Sequence, residues 1–162
     1  SSAASDVYKR QPQLFHPGDL DYIHSVERIS KLSNVISING GVQLDLMGQE
    51  NAESTGTRQL SGVGGQMDFL EGAYRSKGGK GFICINSSRV TKDGERKSNI
   101  LATIPGGSTI SAPRTMIQYV ATEYGIASLS GKTLRERAEA MASIAHPDFR
   151  EELMKYAREN FK

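Results

Sequence analysis

Between positions 19 and 32, Leu20, Ile23, Val26, Ile29 and Leu32 recur at three-residue steps, which predicts a short helix or a pair of helical turns. The period then changes. Asn34-Val35-Ile36-Ser37-Ile38-Asn39 is a short β-rich run stopped by Gly40-Gly41, and Val42-Gln43-Leu44-Asp45-Leu46 alternates apolar with polar residues as a half-buried strand does. Glu50-Asn51-Ala52-Glu53-Ser54 is polar and aperiodic, so Glu50 and Glu53 are expected to be solvated. Met67 through Tyr74 reads as the first turns of a helix that stops near Gly78-Gly79.

Downstream, Gly81-Phe82-Ile83-Cys84-Ile85-Asn86 predicts a buried strand, with Cys84 a small core residue. Thr91-Lys92-Asp93-Gly94 makes a turn, residues 99–104 a further strand closed by Pro105, and residues 117–123 a strand delivering Glu123 to its end. Thr133 and Glu136 have the spacing of a capping box for a helix over 134–145. His146-Pro147 interrupts it, and Asp148 is expected to cap a last helix through Lys162, with Phe149, Leu153, Tyr156 and Ala157 along one face. Strands interleaved with helices predict a layered α/β fold, without an internal repeat or a second domain.

Composition narrows the partners. The chain has 162 residues, 37% of them hydrophobic, enough for one core. Its 20 basic and 18 acidic residues leave a net charge of +2 without the clustered excess of a nucleic-acid binder. No apolar run approaches the roughly 20 residues of a membrane span. The single cysteine excludes an internal disulfide and a Cys-built zinc cage, and fits a reducing, cytoplasmic setting. His16, His24 and His146 are too scattered for a histidine metal site, so no metal is expected. Residues 1–11 lack an initiating Met and any hydrophobic pattern, and read as a foreign, adapter-derived tail. The domain is expected over 12–162, with the natural protein extending upstream.

One stretch carries candidate chemistry. Gln59-Leu60-Ser61-Gly62-Val63-Gly64-Gly65-Gln66-Met67-Asp68-Phe69 is a loop almost without side chains that runs into a helix. Such a loop leaves backbone N–H groups free to face an anion or a developing oxyanion, although glycine clusters also make plain tight turns. It fails the dinucleotide pattern G-x-G-x-x-G, because Met67 stands where the last glycine belongs. Neither a Gly-Lys-Ser/Thr phosphate loop nor a Gly-x-Ser-x-Gly elbow occurs. Glu123, where a strand leaves the core, is either a site carboxylate or an exposed strand-end residue. Arg75, Lys77 and Lys80 either meet phosphates or complement a helix end. Spacing alone leaves several α/β enzyme classes open.

Several segments taken together resemble the acetyl-CoA hydrolase/transferase family. They are Val35-Ile36-Ser37-Ile38-Asn39 with Gln43 to Gln49, Asn51-Ala52-Glu53-Ser54, Ser61 to Phe69, and Arg75 to Lys80. Thr122-Glu123-Tyr124-Gly125-Ile126-Ala127 with Leu129 to Thr133, and Ile144 to Arg150, complete the set in order. The resemblance covers the chain from about Tyr22 onward. It implies the C-terminal domain of a two-domain enzyme, each half a layered α/β domain of the CoA-transferase type. It also implies exchange of CoA between an acyl-CoA and a short-chain carboxylate of the acetate, butyrate or 4-hydroxybutyrate type, by way of a glutamyl-CoA thioester.

Coenzyme A thioester would then be a substrate, with no permanently bound cofactor. The missing N-terminal domain of the same chain and further copies of the protein would be its partners. Acyl-CoA hydrolysis and a non-catalytic CoA-binding or assembly module are the alternatives. By the resemblance, Gly65 supplies a backbone N–H to the oxyanion, while Ser61, Gly62 and Gly64 border CoA. Lys92 falls near CoA or is a plain turn lysine, and Glu123 is a second family glutamate that positions groups. The nucleophilic glutamate of the family lies upstream of the Val35 strand, in a segment nothing here matches. His24-Ser25-Val26 stands where the family tends to have an Asn-Asp-Pro-like triplet.

Overall fold

A computed structural model describes residues 18–162; the tail over 1–11 and His16 lie outside the described residues. Two helical turns come first, α1 (Leu20–Ile23) and α2 (Val26–Lys31), separated by His24 and Ser25; the Ser25 hydroxyl caps α2 by accepting from the Arg28 amide. Of the five apolar residues at three-residue steps only Ile29 is buried, so that spacing marks helical turns but not a core face.

The chain continues through β1 (Ile36–Gly40), β2 (Gln43–Asp45), β3 (Glu50–Asn51), β4 (Ser54–Thr55) and β5 (Arg58–Gln59) to α3 (Gln66–Arg75). Then follow β6 (Lys80–Cys84), β7 (Ser88–Val90), β8 (Arg96–Ser98), β9 (Ile100–Leu101), β10 (Tyr119–Thr122) and β11 (Gly125–Ser128). Helices α4 (Leu134–Ser143) and α5 (Pro147–Asn160) end the fold. Sheet order is β1-β6-β10-β11, parallel except for the β10–β11 hairpin. A smaller sheet runs β3-β2-β9, and β4–β5 and β7–β8 are separate hairpins. This is the layered α/β architecture expected.

Register decides which face of the larger sheet is core. Asn39, Ile83, Val120 and Ala127 line up across all four strands, and Ile83 and Val120 are fully buried. Helix α3 covers that face so closely that a Cβ on Gly81 would come 2.9 Å from a Leu70 methyl. Leu44, Leu46, Leu70, Met141, Ala142 and Leu153 join the same core, so α4, α5 and the small sheet share it. The opposite face is open: Ile36, Ile38 and Ile126 are 56%, 68% and 64% exposed. Cys84 lies on that open face and is exposed, which corrects the expectation of a core cysteine; only Ile83 and Ile85, its odd-numbered neighbours, turn inward.

Three further expectations change. β2 is buried at every position rather than on alternate ones, because Asp45 spends its carboxylate on the amides of Met47 and Gln49 and on the Gln49 side chain. The strand foreseen over 99–104 is paired only at Ile100–Leu101. The last helix is capped by His146, not Asp148: His146 Nδ1 accepts from the Asp148 amide, Pro147 fits the first turn where its missing N–H costs nothing, and the helix ends at Asn160. The Thr133–Glu136 capping box forms as expected, closing both ways. Among the described residues no helix is long and apolar enough to cross a membrane.

Candidate active site

Gly64 and Gly65 are glycines for different reasons. Gly64 has φ +62° with open space around it, so its requirement is conformational. Gly65 has φ −92°, which any residue adopts, but a Cβ there would overlap the imidazole of His24. That ring meets Phe69 edge-on at 5.1 Å and sits 3.5 Å from the Asp68 carboxylate. Gly65 is also the N-cap of α3 and has no side chain to satisfy the first-turn amides, which are therefore available to an incoming oxygen.

The loop is held at both ends by one short segment. At its start, the Glu53 carbonyl accepts the amides of Leu60 and Ser61 at 2.6 and 3.3 Å. At its end, Gln66 Nε2 donates to Glu50 Oε2 in a close contact. The expectation that Glu50 and Glu53 are solvated is corrected here, since both are buried. The Glu50 backbone is bridged to Ala112, and Glu53 Oε1 accepts from the Ser111 hydroxyl at 3.0 Å, so the 111–112 stretch covers them. Asn51 shapes the turn between them, its Oδ1 accepting from the amides of Glu53 and Ser54. Burial pushes the Glu50 carboxyl up to about 7, against the opposing hydrogen bond from Gln66. Its Oε1 is sealed from solvent and has no hydrogen-bond partner among the described residues.

Glu123 sits in the two-residue turn of the β10–β11 hairpin, an element the sequence reading did not foresee beyond β10. Its carboxylate accepts from the Ser87 amide at 2.9 Å and from the Ser87 hydroxyl at 2.6 Å. Desolvation opposes ionisation there, but the two Ser87 hydrogen bonds and the nearby His146 outweigh it and hold the carboxyl below its usual range. Ser87 precedes β7, so Glu123 fastens the base of the β7–β8 hairpin. Lys92 is exposed in the turn of that hairpin, which closes through Thr91, Gly94 and Glu95.

A cleft of ≈ 420 Å³ opens at the carboxyl ends of β1, β6 and β10, lined by Gly41, Cys84, Ile85, Asn86, Ala121 and Thr122. This is where open parallel sheets receive ligands. Glu123 follows Thr122 directly, and Gly41 lies against Glu50: a Cβ on Gly41 would come 2.7 Å from Glu50 Oε1. Ser61, Gly62, Gly64 and Gly65 thus share one loop, with Glu123 and the Lys92 hairpin joined through Ser87. A basic cleft of ≈ 560 Å³ around Arg114, Lys132 and Arg137 contains none of these candidates. Sequence reasoning missed Glu50, Ser87 and the contact of His24 with Gly65. Each depends on residues far apart in the chain, and no local spacing signals it.

The acetyl-CoA hydrolase/transferase C-terminal domain matches residues 5–157. The butyryl-CoA:acetate CoA-transferase of Anaerostipes caccae is 47% identical over 138 residues, 85% of this chain and 31% of that protein. The 4-hydroxybutyrate coenzyme A transferase of Clostridium kluyveri is 48% identical over 142 residues, 88% of this chain and 32% of its own length. Among solved structures, RipA from Yersinia pestis superimposes with a TM-score of 0.75 at 40% identity, covering 86% of this chain and 30% of that one. The chain thus spans about a third of the length of these relatives.

Proposed function

The chain belongs to the acetyl-CoA hydrolase/transferase family through its C-terminal domain, and from that premise we propose that it forms the CoA-handling part of an enzyme that moves CoA between an acyl-CoA and a short-chain carboxylate. The carboxylates are of the acetate, butyrate or 4-hydroxybutyrate type. The observation that carries the reading is the uncapped start of α3 behind Gly64 and Gly65, beside a segment that fixes both ends of the loop.

In this reading a glutamate from a segment of the same protein upstream of the Val35 strand, one that nothing in this chain matches, attacks the acyl-CoA carbonyl and expels the CoA thiolate, leaving a mixed anhydride. The thiolate then attacks the glutamyl carbonyl and releases the donor acid. The acceptor carboxylate attacks the glutamyl-CoA thioester so formed and expels the thiolate, giving a second mixed anhydride; the thiolate then attacks its acceptor-derived carbonyl, forming the new acyl-CoA and releasing the glutamate carboxylate. Each addition places negative charge on a carbonyl oxygen. The Gly65 amide would meet that charge, and a preorganised donor of this kind is among the largest single contributions to such catalysis. Ser61, Gly62 and Gly64 border the thioester, and Lys92 approaches CoA. Glu123 acts by holding Ser87 rather than as a nucleophile, because both its oxygens are engaged. The working enzyme is an oligomer in the cytoplasm.

The test uses a family-length protein carrying this chain, incubated with acetyl-CoA and butyrate, propionate, 4-hydroxybutyrate or succinate. Hydride reduction and peptide mass analysis then locate any thioester. A new acyl-CoA and an adduct on a glutamate outside this chain are expected. Free CoA without a new acyl-CoA would assign hydrolysis instead, and an adduct on Glu123 would overturn its positioning role.

A further inference from the structure

Glu50 is an expensive way to fill its place. A carboxyl with no exposed surface and one oxygen without a hydrogen-bond partner costs free energy that an aliphatic side chain of the same size would not. Its backbone needs no help from the side chain: the Glu50 amide donates to the Ala112 carbonyl at 3.0 Å, and the Glu50 carbonyl accepts from Ser111 at 2.8 Å. The side chain reaches two other places. Oε2 accepts from Gln66, the first residue of α3, and Oε1 lies behind Gly41, which lines the cleft at the carboxyl end of β1. One buried group therefore spans the cleft wall and the end of the glycine-rich loop, while three residues on the Glu53 carbonyl anchors the start of that loop.

We propose that Glu50 is a positioning residue for the glycine-rich loop, its bond to Gln66 fixing the first turn of α3 and with it the direction of the Gly64 and Gly65 amides. The inference rests on the reading of that loop as the oxyanion side of a CoA-transfer site. Anchoring at both ends is what a loop of glycines needs, since glycine brings the largest conformational freedom to be restrained. A donor that stabilises a transition state must already be oriented when the charge develops. Gln66 serves as the contact because it belongs to the helix and so transmits its position to the whole first turn.

The experiment has two arms. In the 162-residue chain, amide hydrogen exchange is compared for Glu50→Gln, Glu50→Ala and Gln66→Ala. Exchange over residues 61–66 is expected to accelerate at least ~10-fold in both alanine variants, with residues 81–85 unchanged and Glu50→Gln near the parent. In the family-length protein, kcat is expected to fall about 10- to 100-fold in both alanine variants, with KM for acyl-CoA within about threefold and the double variant no worse than either single one. Glu50→Gln, which keeps an oxygen for Gln66, should restore most of kcat. Unchanged exchange in the loop of both alanine variants overturns the proposal whatever the activity. Accelerated exchange with unaltered kcat overturns the catalytic reading of the loop instead. Should Glu50→Ala unfold the chain, Gln66→Ala alone decides, because Gln66 is only half-buried and its loss leaves the core intact.

Discussion

The carboxylate of Glu123 takes both hydrogen bonds that Ser87 offers, 2.9 Å from the amide and 2.6 Å from the hydroxyl, across 36 residues of chain. Ser87 is fully buried and Glu123 exposed, so the pair ties the surface turn of one hairpin to the buried root of another. Glu123→Ala is therefore expected to cost roughly 1 kcal/mol of stability and to speed amide exchange over residues 87–97. Glu123→Gln, which can still accept one of the bonds, should keep at least about a tenth of the turnover of a family-length enzyme. Complete loss in Glu123→Gln would give this carboxylate a chemical role instead.

Gly64 and Gly65 should respond differently to the same methyl group. Gly64→Ala must hold φ +62° in open space and is expected to cost about 1 kcal/mol, read by urea denaturation. Gly65→Ala meets His24 instead, and should lower turnover about 100- to 1,000-fold, the effect of losing one oxyanion donor. Adding His24→Ala removes the overlap and should return stability. Turnover that recovers along with stability assigns the loss to displacement of the Gly65 amide by the His24 overlap, whereas near-normal turnover in Gly65→Ala alone would remove that glycine from the mechanism.

Glu50 gives stability a distinctive pH dependence. Its folded carboxyl keeps the proton up to about 7, whereas the unfolded one releases it near 4.5, so the folded state binds more protons between those values. Its contribution is fully present below 4.5, declines as pH rises toward 7 and is constant above. A shift of that size corresponds to roughly 3 kcal/mol. Relative to Glu50→Gln, which cannot titrate, the parent chain should lose about that much between pH 4.5 and 8 in parallel urea titrations. Superimposable pH profiles would mean that Glu50 ionises freely in the fold.

Arg137 is a buried tie between three segments. It is buried on α4, and its guanidinium donates at 2.8 Å to the carbonyls of Met47, Leu129 and Arg114, which lie on three separate segments. Gly48 passes so close that a Cβ there would come 2.7 Å from the guanidinium. Arg137→Met leaves three carbonyls unpaired and is expected to cost about 3 kcal/mol or more, measured as a drop in the urea midpoint. Turnover per folded molecule should be unchanged, because none of the candidate site residues touches this cluster.

Much of the fold was legible because it is written locally. The capping box of Thr133 and Glu136 lies within one helical turn, and the interruption at His146-Pro147 follows from the missing proline N–H. The glycine-rich loop entering a helix was equally plain, and the family resemblance came from short segments in order. Where reading failed, it failed on pairing. Ile36 and Ile38 are apolar yet face outward, while Ser37 between them is buried, because α3 chose the opposite face of the sheet. Polarity gave Glu50 and Glu53 to solvent, but a strand pairing with Leu44 and a cover from 111–112 enclosed them.

The three longer helices, the strands around Ile36, Ile83 and Val120, the Thr133 cap and the glycine-rich loop were determined by the sequence itself, since these depend on backbone geometry and neighbours a few residues away. Which carboxylates are buried, what rests on Gly65 and what Glu123 holds were decided only by the tertiary structure. Hydrogen bonding and desolvation act through space, and the groups that meet in this domain come from segments as far as 90 residues apart, as Arg137 and Met47 do.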